Sequence, residues 1–129
     1  EQKQLIEKIN FIKIIMNRAS STKIKLLGVG GLFESSQIVQ SKIFSEKSIK
    51  KLKEAGAVGE VGGNFFDKEG RIILNKETQK IIGPKIDSFK NSTTVLIAGG
   101  KHKISQIQSV LKSGLFSGLI TDEKTSKKI

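Results

Sequence analysis

Two lysines follow a pair of glycines in the stretch VLIAGGKHK. Val95 to Ala98 suit a buried strand, Gly99 and Gly100 suit a tight turn, and apolar residues at helical spacing come next. Lys101 and Lys103 would therefore lie at the carboxyl end of a strand, where the free N–H groups of a helix N-terminus favour an anion. The alternative is that the glycines only turn the chain and that the lysines are solvated.

Glu60 is the second residue that could do chemistry, because it lies in a stretch of apolar residues and glycines, AGAVGEVGGNFF, that reads as one strand from Ala57 to Phe66. A buried carboxylate needs a partner, which could be a lysine, backbone donors or the hydroxyl groups of a ligand. An exposed edge position and a site residue both remain open. The glycines around Glu60 indicate either a bulge or the close approach of another group to the backbone.

Other kinds of site chemistry find no support in the residue types. The chain has no cysteine and a single histidine, His102, so a metal site of the usual His and Cys type is not expected. No nucleophile elbow, phosphate-binding P-loop or HExxH motif occurs. Asp67 fits a turn, and Asp122 and Glu123 fit the start of a helix. We therefore predict no catalytic residue, no metal and no cofactor.

The net charge of +11 raises the question of nucleic-acid binding. Nearly all of the positive charge is lysine spread along the chain, Arg18 and Arg71 are the two arginines, and the aromatic residues are seven phenylalanines. Arginine forks and stacking platforms are therefore scarce, so direct nucleic-acid binding is the less favoured alternative. No apolar run is long enough to span a membrane, and the first residues lack a signal peptide pattern. A cytoplasmic location fits the absence of cysteine.

Spacing of apolar residues and glycines places these side chains on alternating elements. The predicted helices cover Gln4 to Arg18, a helix capped by Ser45 and ended by Gly56, one turn at Ile86 to Lys90, a helix to about Lys112 stopped by Gly114, and a last helix from Thr121. The predicted strands cover Ile24 to Val29 (buried, with a turn at Gly28, Gly30 and Gly31), Ala57 to Phe66, Arg71 to Leu74, Val95 to Ala98 and Leu115 to Ile120. This order predicts a Rossmann-like α/β fold with a mainly parallel sheet, helices on both faces and a small antiparallel hairpin.

Four phrases carry a resemblance to a known family. They are LLGVGG (Leu26 to Gly31), GAVGEVGGNFFDKEG (Gly56 to Gly70), VLIAGGKHKISQI (Val95 to Ile107) and GLITDEKTSKKI (Gly118 to Ile129). In this order they resemble the C-terminal half of the sugar-binding effector domain of SorC-family bacterial transcriptional regulators. The likeness covers roughly residues 5 to 129 and about half of that domain. It implies that residues 1–129 lack the N-terminal half, with its phosphate-binding loop, and the DNA-binding helix-turn-helix.

The resemblance also implies a mechanism. The family's domain is similar to sugar-phosphate isomerases and deaminases but is not an enzyme, and a phosphorylated sugar bound at the strand ends alters the packing of a homo-oligomer and its affinity for DNA. Glu60 would then bind ligand hydroxyls, and Lys103 would bind the phosphate or a sugar oxygen. The residues that would let the backbone approach the ligand are Gly28, Gly30, Gly99 and Gly100.

Two departures from the family pattern bear on the ligand. Asn64 stands where the family often has arginine, and the loop from Leu32 to Phe44 offers Lys42 but no arginine. Phosphate contacts made by arginine in relatives are therefore not expected here. The main alternative to a sensor is an active sugar-phosphate isomerase or deaminase, with Glu60 as the acid/base and Lys103 as the electrostatic stabiliser.

Overall fold

The computed structural model of the protein describes residues 2–129, which form seven α-helices, six β-strands and two 3₁₀ turns. The helices are α1 Gln2–Glu7, α2 Asn10–Ser21, α3 Gln37–Gln40, α4 Glu46–Glu54, α5 Asp87–Lys90, α6 Ile104–Lys112 and α7 Glu123–Ser126. The strands are β1 Ile24–Gly28, β2 Gly30–Gly31, β3 Gly59–Val61, β4 Asn64–Phe66, β5 Thr93–Ile97 and β6 Gly118–Ile120. The 3₁₀ turns are Thr78–Lys80 and Lys101–Lys103. No helix within 2–129 has the length and hydropathy to cross a bilayer.

The strands form two sheets. In the first, β5 lies between β1 and β6, and both pairs are parallel. In the second, β3 lies between β2 and β4, and both pairs are antiparallel. The predicted α/β fold with a parallel sheet is confirmed, and a small antiparallel hairpin is present, formed by other strands than those predicted.

Helix α4 follows its local signals. The Ser45 hydroxyl accepts a hydrogen bond from the Ser48 N–H at 3.1 Å, which satisfies one of the free donors of the first turn. Ile49 and Leu52, three residues apart, point into the core. Gly56 follows with φ of +85°, the left-handed conformation that ends many helices. The predicted cap, buried face and stop are all confirmed.

The segment Ala57 to Phe66 is a hairpin, so the prediction of one strand there is wrong. Gly62 and Gly63 have φ of +57° and +84°, and Val61 pairs with Asn64 across them. Positive φ at both central residues is the geometry of the two-residue turns that match strand twist. The glycines reverse the chain instead of weakening a strand.

The return strand predicted from Arg71 to Leu74 is also wrong, because only an isolated bridge joins Ile72 to Phe66. The turn at Asp67 that precedes it is confirmed, since the Asp67 carboxylate accepts hydrogen bonds from the N–H groups of Glu69 and Arg71.

The N-terminal helix predicted as continuous is two helices. The Lys8 and Ile9 N–H groups bond to carbonyls three residues back, and Ile9 then has extended backbone with ψ of 120°. This tightened turn ends α1 before Asn10 begins α2.

The turn predicted at Gly30 and Gly31 is wrong as well, because these residues form β2.

Two apolar clusters fill the interior. The first lies between the parallel sheet and α6 and includes Leu96, Ile107 and Val110. The second includes Leu52 and Phe65, between α4 and the hairpin. A Cβ at Gly59 would lie 2.7 Å from a Val110 methyl and 2.8 Å from the Gln106 carbonyl. Glycine is therefore required where α6 packs on β3, which is the close approach that the glycine pattern predicted.

One face of the parallel sheet is exposed. Successive side chains of a strand point to opposite faces, so Lys25 faces the interior while its neighbours face outward. The exposed fractions of the outward side chains are 66% for Ile24, 61% for Leu26, 46% for Ile97 and 56% for Ile120. The prediction that Ile24 to Val29 is a buried strand is wrong for these outward side chains. Within residues 2–129 no helix covers them, so the prediction of helices on both faces of the sheet is met on one face only. Six apolar residues of the N-terminal segment that contains α1 and α2 are exposed as well: Leu5, Ile6, Ile9, Phe11, Ile14 and Ile15.

Candidate functional site

A pocket of about 470 Å³ opens where the end of β1, the strand β2, the hairpin and the Lys101–Lys103 turn meet the loop that carries α3. Four of the six predicted site residues line it, namely Gly28, Gly30, Glu60 and Lys103. The topology brings them together because β1 and β2 are consecutive, β3 pairs with β2, and the turn follows β5, the neighbour of β1.

Glu60 lies on β3, which is the middle strand of its sheet. The alternative that Glu60 occupies an exposed edge position is therefore wrong. Its Oε1 accepts a hydrogen bond from the Gly63 N–H at 2.5 Å. Its Oε2 lies so close to Gly30, its register partner, that a Cβ on Gly30 would clash with it. Burial raises the pKa of Glu60 above its ordinary value, and the Gly63 hydrogen bond partly opposes that shift. Further hydrogen-bond donors, such as the hydroxyl groups of a ligand, would therefore stabilise the ionised form of this half-buried carboxylate.

Lys103 places an ammonium group on the same pocket. Its Nζ donates a hydrogen bond to the Val29 carbonyl at 3.0 Å. It forms no ion pair with any carboxylate of the described residues. Because an ammonium group has three donors, two remain for a ligand. Val29 and Gly30 are adjacent, so the Lys103 ammonium group and the Glu60 carboxylate contact the same short segment of the chain.

His102 and Phe33 form a wall of the pocket. Their rings meet edge to face, with centroids 5.6 Å apart and planes at 72°. The histidine was visible in the sequence, but Phe33 was missed because the loop from Leu32 to Phe44 has no periodic pattern. A face-to-edge aromatic pair can pack against the apolar side of a ligand.

The loop around α3 supplies a polar rim that sequence reasoning also missed. Ser35, Ser36, Gln37 and Ser41 line the pocket. Ser36 is buried and caps α3, its hydroxyl accepting a hydrogen bond from the Val39 N–H at 3.4 Å. The serines of this loop are the signal that could have found the cap, because serine is a preferred N-cap residue.

Gly99 and Gly100 lie outside this pocket. The Gly100 N–H donates hydrogen bonds to Thr125 Oγ1 at 2.8 Å and to Asp122 Oδ2 at 3.2 Å. It therefore contacts the first turn of α7. A Cβ on Gly99 would clash with the same Asp122 oxygen. Hydrogen bonds from the Thr125 hydroxyl and backbone hold the pKa of Asp122 below its ordinary value. The two glycines therefore accommodate a helix cap, which confirms Asp122 as a helix-start residue.

Asn64, at the position where the resemblance led us to look for an arginine, does not line the pocket either. Its Nδ2 donates to the carbonyls of Val61, Gly62 and Pro84, each at 3.3 Å. These bonds fasten the hairpin turn to the connector, and they leave Asn64 a structural role.

The pocket thus offers one carboxylate, one ammonium group, several hydroxyls and an aromatic wall. Carboxylates accept hydrogen bonds from hydroxyl groups, and an ammonium group attracts an anion. Residues 2–129 hold no group of three or more His, Asp or Glu side chains that could bind a metal ion.

Comparison with known proteins identifies the family. The family described as "Putative sugar-binding domain" matches residues 1–129. Among curated proteins, the erythritol catabolism regulatory protein EryD of Brucella abortus is 30% identical over 118 residues, which are 92% of this chain and 37% of that protein. The deoxyribonucleoside regulator of Bacillus subtilis is 27% identical over 128 residues, 98% of this chain and 41% of that protein. The chain spans about two fifths of the length of these relatives.

Solved structures agree. A transcriptional regulator from Streptococcus pneumoniae TIGR4 superposes with a TM-score of 0.84 at 27% identity, covering 98% of this chain and 50% of that one. A DeoR family regulator from Listeria monocytogenes, at 20% identity, gives a TM-score of 0.89 over 99% of this chain and 52% of that one, and shares the fold. The chain therefore belongs to the sugar-binding domain family, and the curated proteins that it matches are named as regulators.

Proposed function

We propose that this chain is the effector-sensing part of a bacterial transcriptional regulator, in which a phosphorylated sugar bound in the pocket modulates DNA binding. The observation that carries this proposal is that one carboxylate, Glu60, and one ammonium group, Lys103, line the same pocket and both lie next to the Val29–Gly30 segment. A sugar phosphate offers hydroxyl donors to the first and an anion to the second.

The free energy that such contacts contribute to ligand binding is in the range that a sensor needs. Hydrogen bonds to charged groups contribute about 1.5–3 kcal/mol each. Losing either contact would therefore weaken binding by about one to two orders of magnitude. That range is large enough for a ligand to shift an equilibrium between two states of the protein.

The rest of the proposed mechanism lies outside residues 1–129. The chain covers 41% of the full-length sorbitol operon regulator SorC from Klebsiella pneumoniae and 51% of a sugar-binding domain from Vibrio fischeri. We infer that this chain is the C-terminal part of a sugar-binding domain, that a helix-turn-helix elsewhere in the protein binds DNA, and that the regulator is a cytoplasmic homo-oligomer. The remainder of the domain would cover the exposed face around Leu26 and Ile97, because large exposed apolar patches mark interaction surfaces.

The test is a titration of the full-length protein with phosphorylated sugars, among them ribose 5-phosphate and glucosamine 6-phosphate, followed by thermal unfolding. One sugar phosphate should raise the melting temperature, and Lys103→Ala and Glu60→Gln should both remove the shift. Lys101→Ala is the matched control, since Lys101 is two residues away and does not line the pocket. A shift that survives both pocket substitutions would refute this placement of the site.

One observation favours a second candidate, an active sugar-phosphate isomerase or deaminase. The raised pKa of Glu60 suits a general acid/base, and Lys103 could stabilise developing negative charge. Against it, the pocket lining holds no second carboxylate among the described residues, and the relatives are named as regulators. Turnover of ribose 5-phosphate or glucosamine 6-phosphate above a Glu60→Gln control would establish the enzyme.

A further inference from the structure

A second concave surface lies on the other side of the α3 loop, between α3 and α4. We call it the α3–α4 groove; its volume is about 720 Å³. Val39, Phe44 and Ile49 line it, and all three belong to the second apolar cluster. Phe44 also lines the sugar-binding pocket, so one side chain forms part of both surfaces. Ile43, between Lys42 and Phe44, is 81% exposed and lines the first pocket, not the groove.

The rim of the groove is basic. Lys42, Lys50 and Lys53 line it, together with one carboxylate, Glu46, in the first turn of α4. Lys42 and Lys53 form no ion pair with the described residues. Lys50 approaches Glu54 at 3.9 Å, but both side chains are largely exposed, and such pairs contribute little. The groove therefore combines an apolar floor with a net positive charge.

Lys42 occupies an unusual backbone position for its residue type. It follows the C-cap of α3 with φ of +53°, the left-handed conformation in which a helix normally ends on glycine or asparagine. Glycine would adopt this conformation without the steric cost that a Cβ brings. A lysine here places a cation on the rim despite that cost.

We propose that the α3–α4 groove docks an acidic amphipathic segment of a partner protein. The apolar floor requires apolar side chains from the occupant, and the three lysines require acidic ones beside them. A nucleic-acid backbone would meet the charges but would leave the floor of Val39 and Ile49 without apolar contacts. A purely apolar segment would leave the lysines unpaired at the rim. This surface is separate from the proposed sugar contacts and does not depend on them.

The experiment uses a fluorescein-labelled 14-residue peptide with leucine at positions i, i+3, i+4 and i+7 and glutamate elsewhere. Its binding to the full-length protein is followed by fluorescence anisotropy, with no sugar present. Lys42→Glu combined with Lys53→Glu should weaken binding by about tenfold or more. The matched control, Lys8→Glu combined with Lys90→Glu, makes the same change in net charge at exposed positions outside the groove and should weaken binding by about twofold or less.

A second peptide keeps every glutamate and replaces the leucines by serine, and it should bind at least about tenfold more weakly than the first. Three results would overturn the proposal: no binding of the leucine peptide to the wild-type protein, equal weakening by the two charge-reversal pairs, or equal binding of both peptides. The last would show a general attraction of acidic chains to a basic protein. All four substitutions are at exposed lysines, and thermal unfolding confirms that the variants fold.

Discussion

The Glu60 carboxylate rests against Gly30, its antiparallel register partner, at a distance that leaves no room for a Cβ on that glycine. The clashing atom is the end of a flexible side chain, so Gly30→Ala should be accommodated by rotation of Glu60 at a cost of about 1 kcal/mol or less. The rotated carboxylate would leave its place in the pocket. We therefore expect Gly30→Ala to retain the fold and to abolish the stabilisation by a sugar phosphate.

Gly118→Ala is the control for this change, because Gly118 is also a strand glycine and a Cβ there meets nothing within 4 Å. Thermal unfolding of both variants, with and without the sugar that stabilises the wild type, separates the two effects. Undiminished ligand stabilisation of Gly30→Ala would show that the position of Glu60 does not matter for binding.

Elements governed by neighbours a few residues away were predictable from the sequence. The cap at Ser45 and the stop at Gly56 lie next to the helix that they delimit. The two glycines of the hairpin were noticed but misread, because Gly62 and Gly63 fit a bulge as well as a turn until Val61 is seen opposite Asn64. Short-range patterns do not specify which strands pair.

Long-range relationships were out of reach. Glu77 is buried, and its carboxylate accepts hydrogen bonds from Ser48 and Lys51, which are 29 and 26 positions away. For the candidate site, Glu60 and Lys103 were predicted from residue type and resemblance, whereas Phe33, which lines the same pocket, has no local signal. The prediction that Leu26 is buried was wrong, because the residue type does not show which face of a sheet other elements cover.

Stability should depend on pH through Glu60. Its pKa in the folded protein is raised above the ordinary value of 4.5, so its contribution to stability is fully present below pH 4.5 and is lost as the pH rises through the folded-state pKa. Glu60→Gln cannot ionise and should therefore unfold at a higher urea concentration than the wild type at pH 7. The difference should disappear near pH 4. Urea unfolding at both pH values measures it, and a less stable Glu60→Gln at pH 7 would contradict the expectation.

Glu77 should show the opposite dependence. Hydrogen bonds from Lys80, Ser48 and Lys51 hold its pKa at about 2, below its ordinary value of 4.5. The stability that its ionised form contributes is present above pH 4.5 and is lost as the pH falls toward 2. Glu77→Gln should therefore lower the urea midpoint at pH 7, and the gap to the wild type should narrow between pH 4.5 and pH 3. A gap that stays constant with pH would mean that packing, not charge, is lost.

The exposed face of the parallel sheet predicts a contrast between two leucines on adjacent strands. Leu26 is 61% exposed, and Leu96, on the other face, is fully buried. In the 129-residue chain, Leu26→Ala should change the free energy of unfolding by about 0.5 kcal/mol or less, whereas Leu96→Ala should cost about 2–5 kcal/mol. If the rest of the domain covers this face, Leu26→Ala should become costly in the full-length protein. Urea unfolding of both lengths tests this, and an equally small effect in both would leave the face uncovered.

The strand-end glycines should affect folding and not sugar binding. A Cβ on Gly99 would clash with Asp122 Oδ2, which accepts a hydrogen bond from the Gly100 N–H, while Oδ1 of the same carboxylate accepts the capping hydrogen bond from the Thr125 N–H. Gly99→Ala should therefore destabilise the protein by about 1–3 kcal/mol while preserving the thermal shift caused by the sugar. In an Asp122→Ala background the clashing atom is gone, so the added cost of Gly99→Ala should fall to about 0.5 kcal/mol or less. If the costs in unfolding free energy are additive in this double-mutant cycle, the steric explanation is refuted. If Gly99→Ala removes the sugar-induced thermal shift, Gly99 takes part in sugar binding after all.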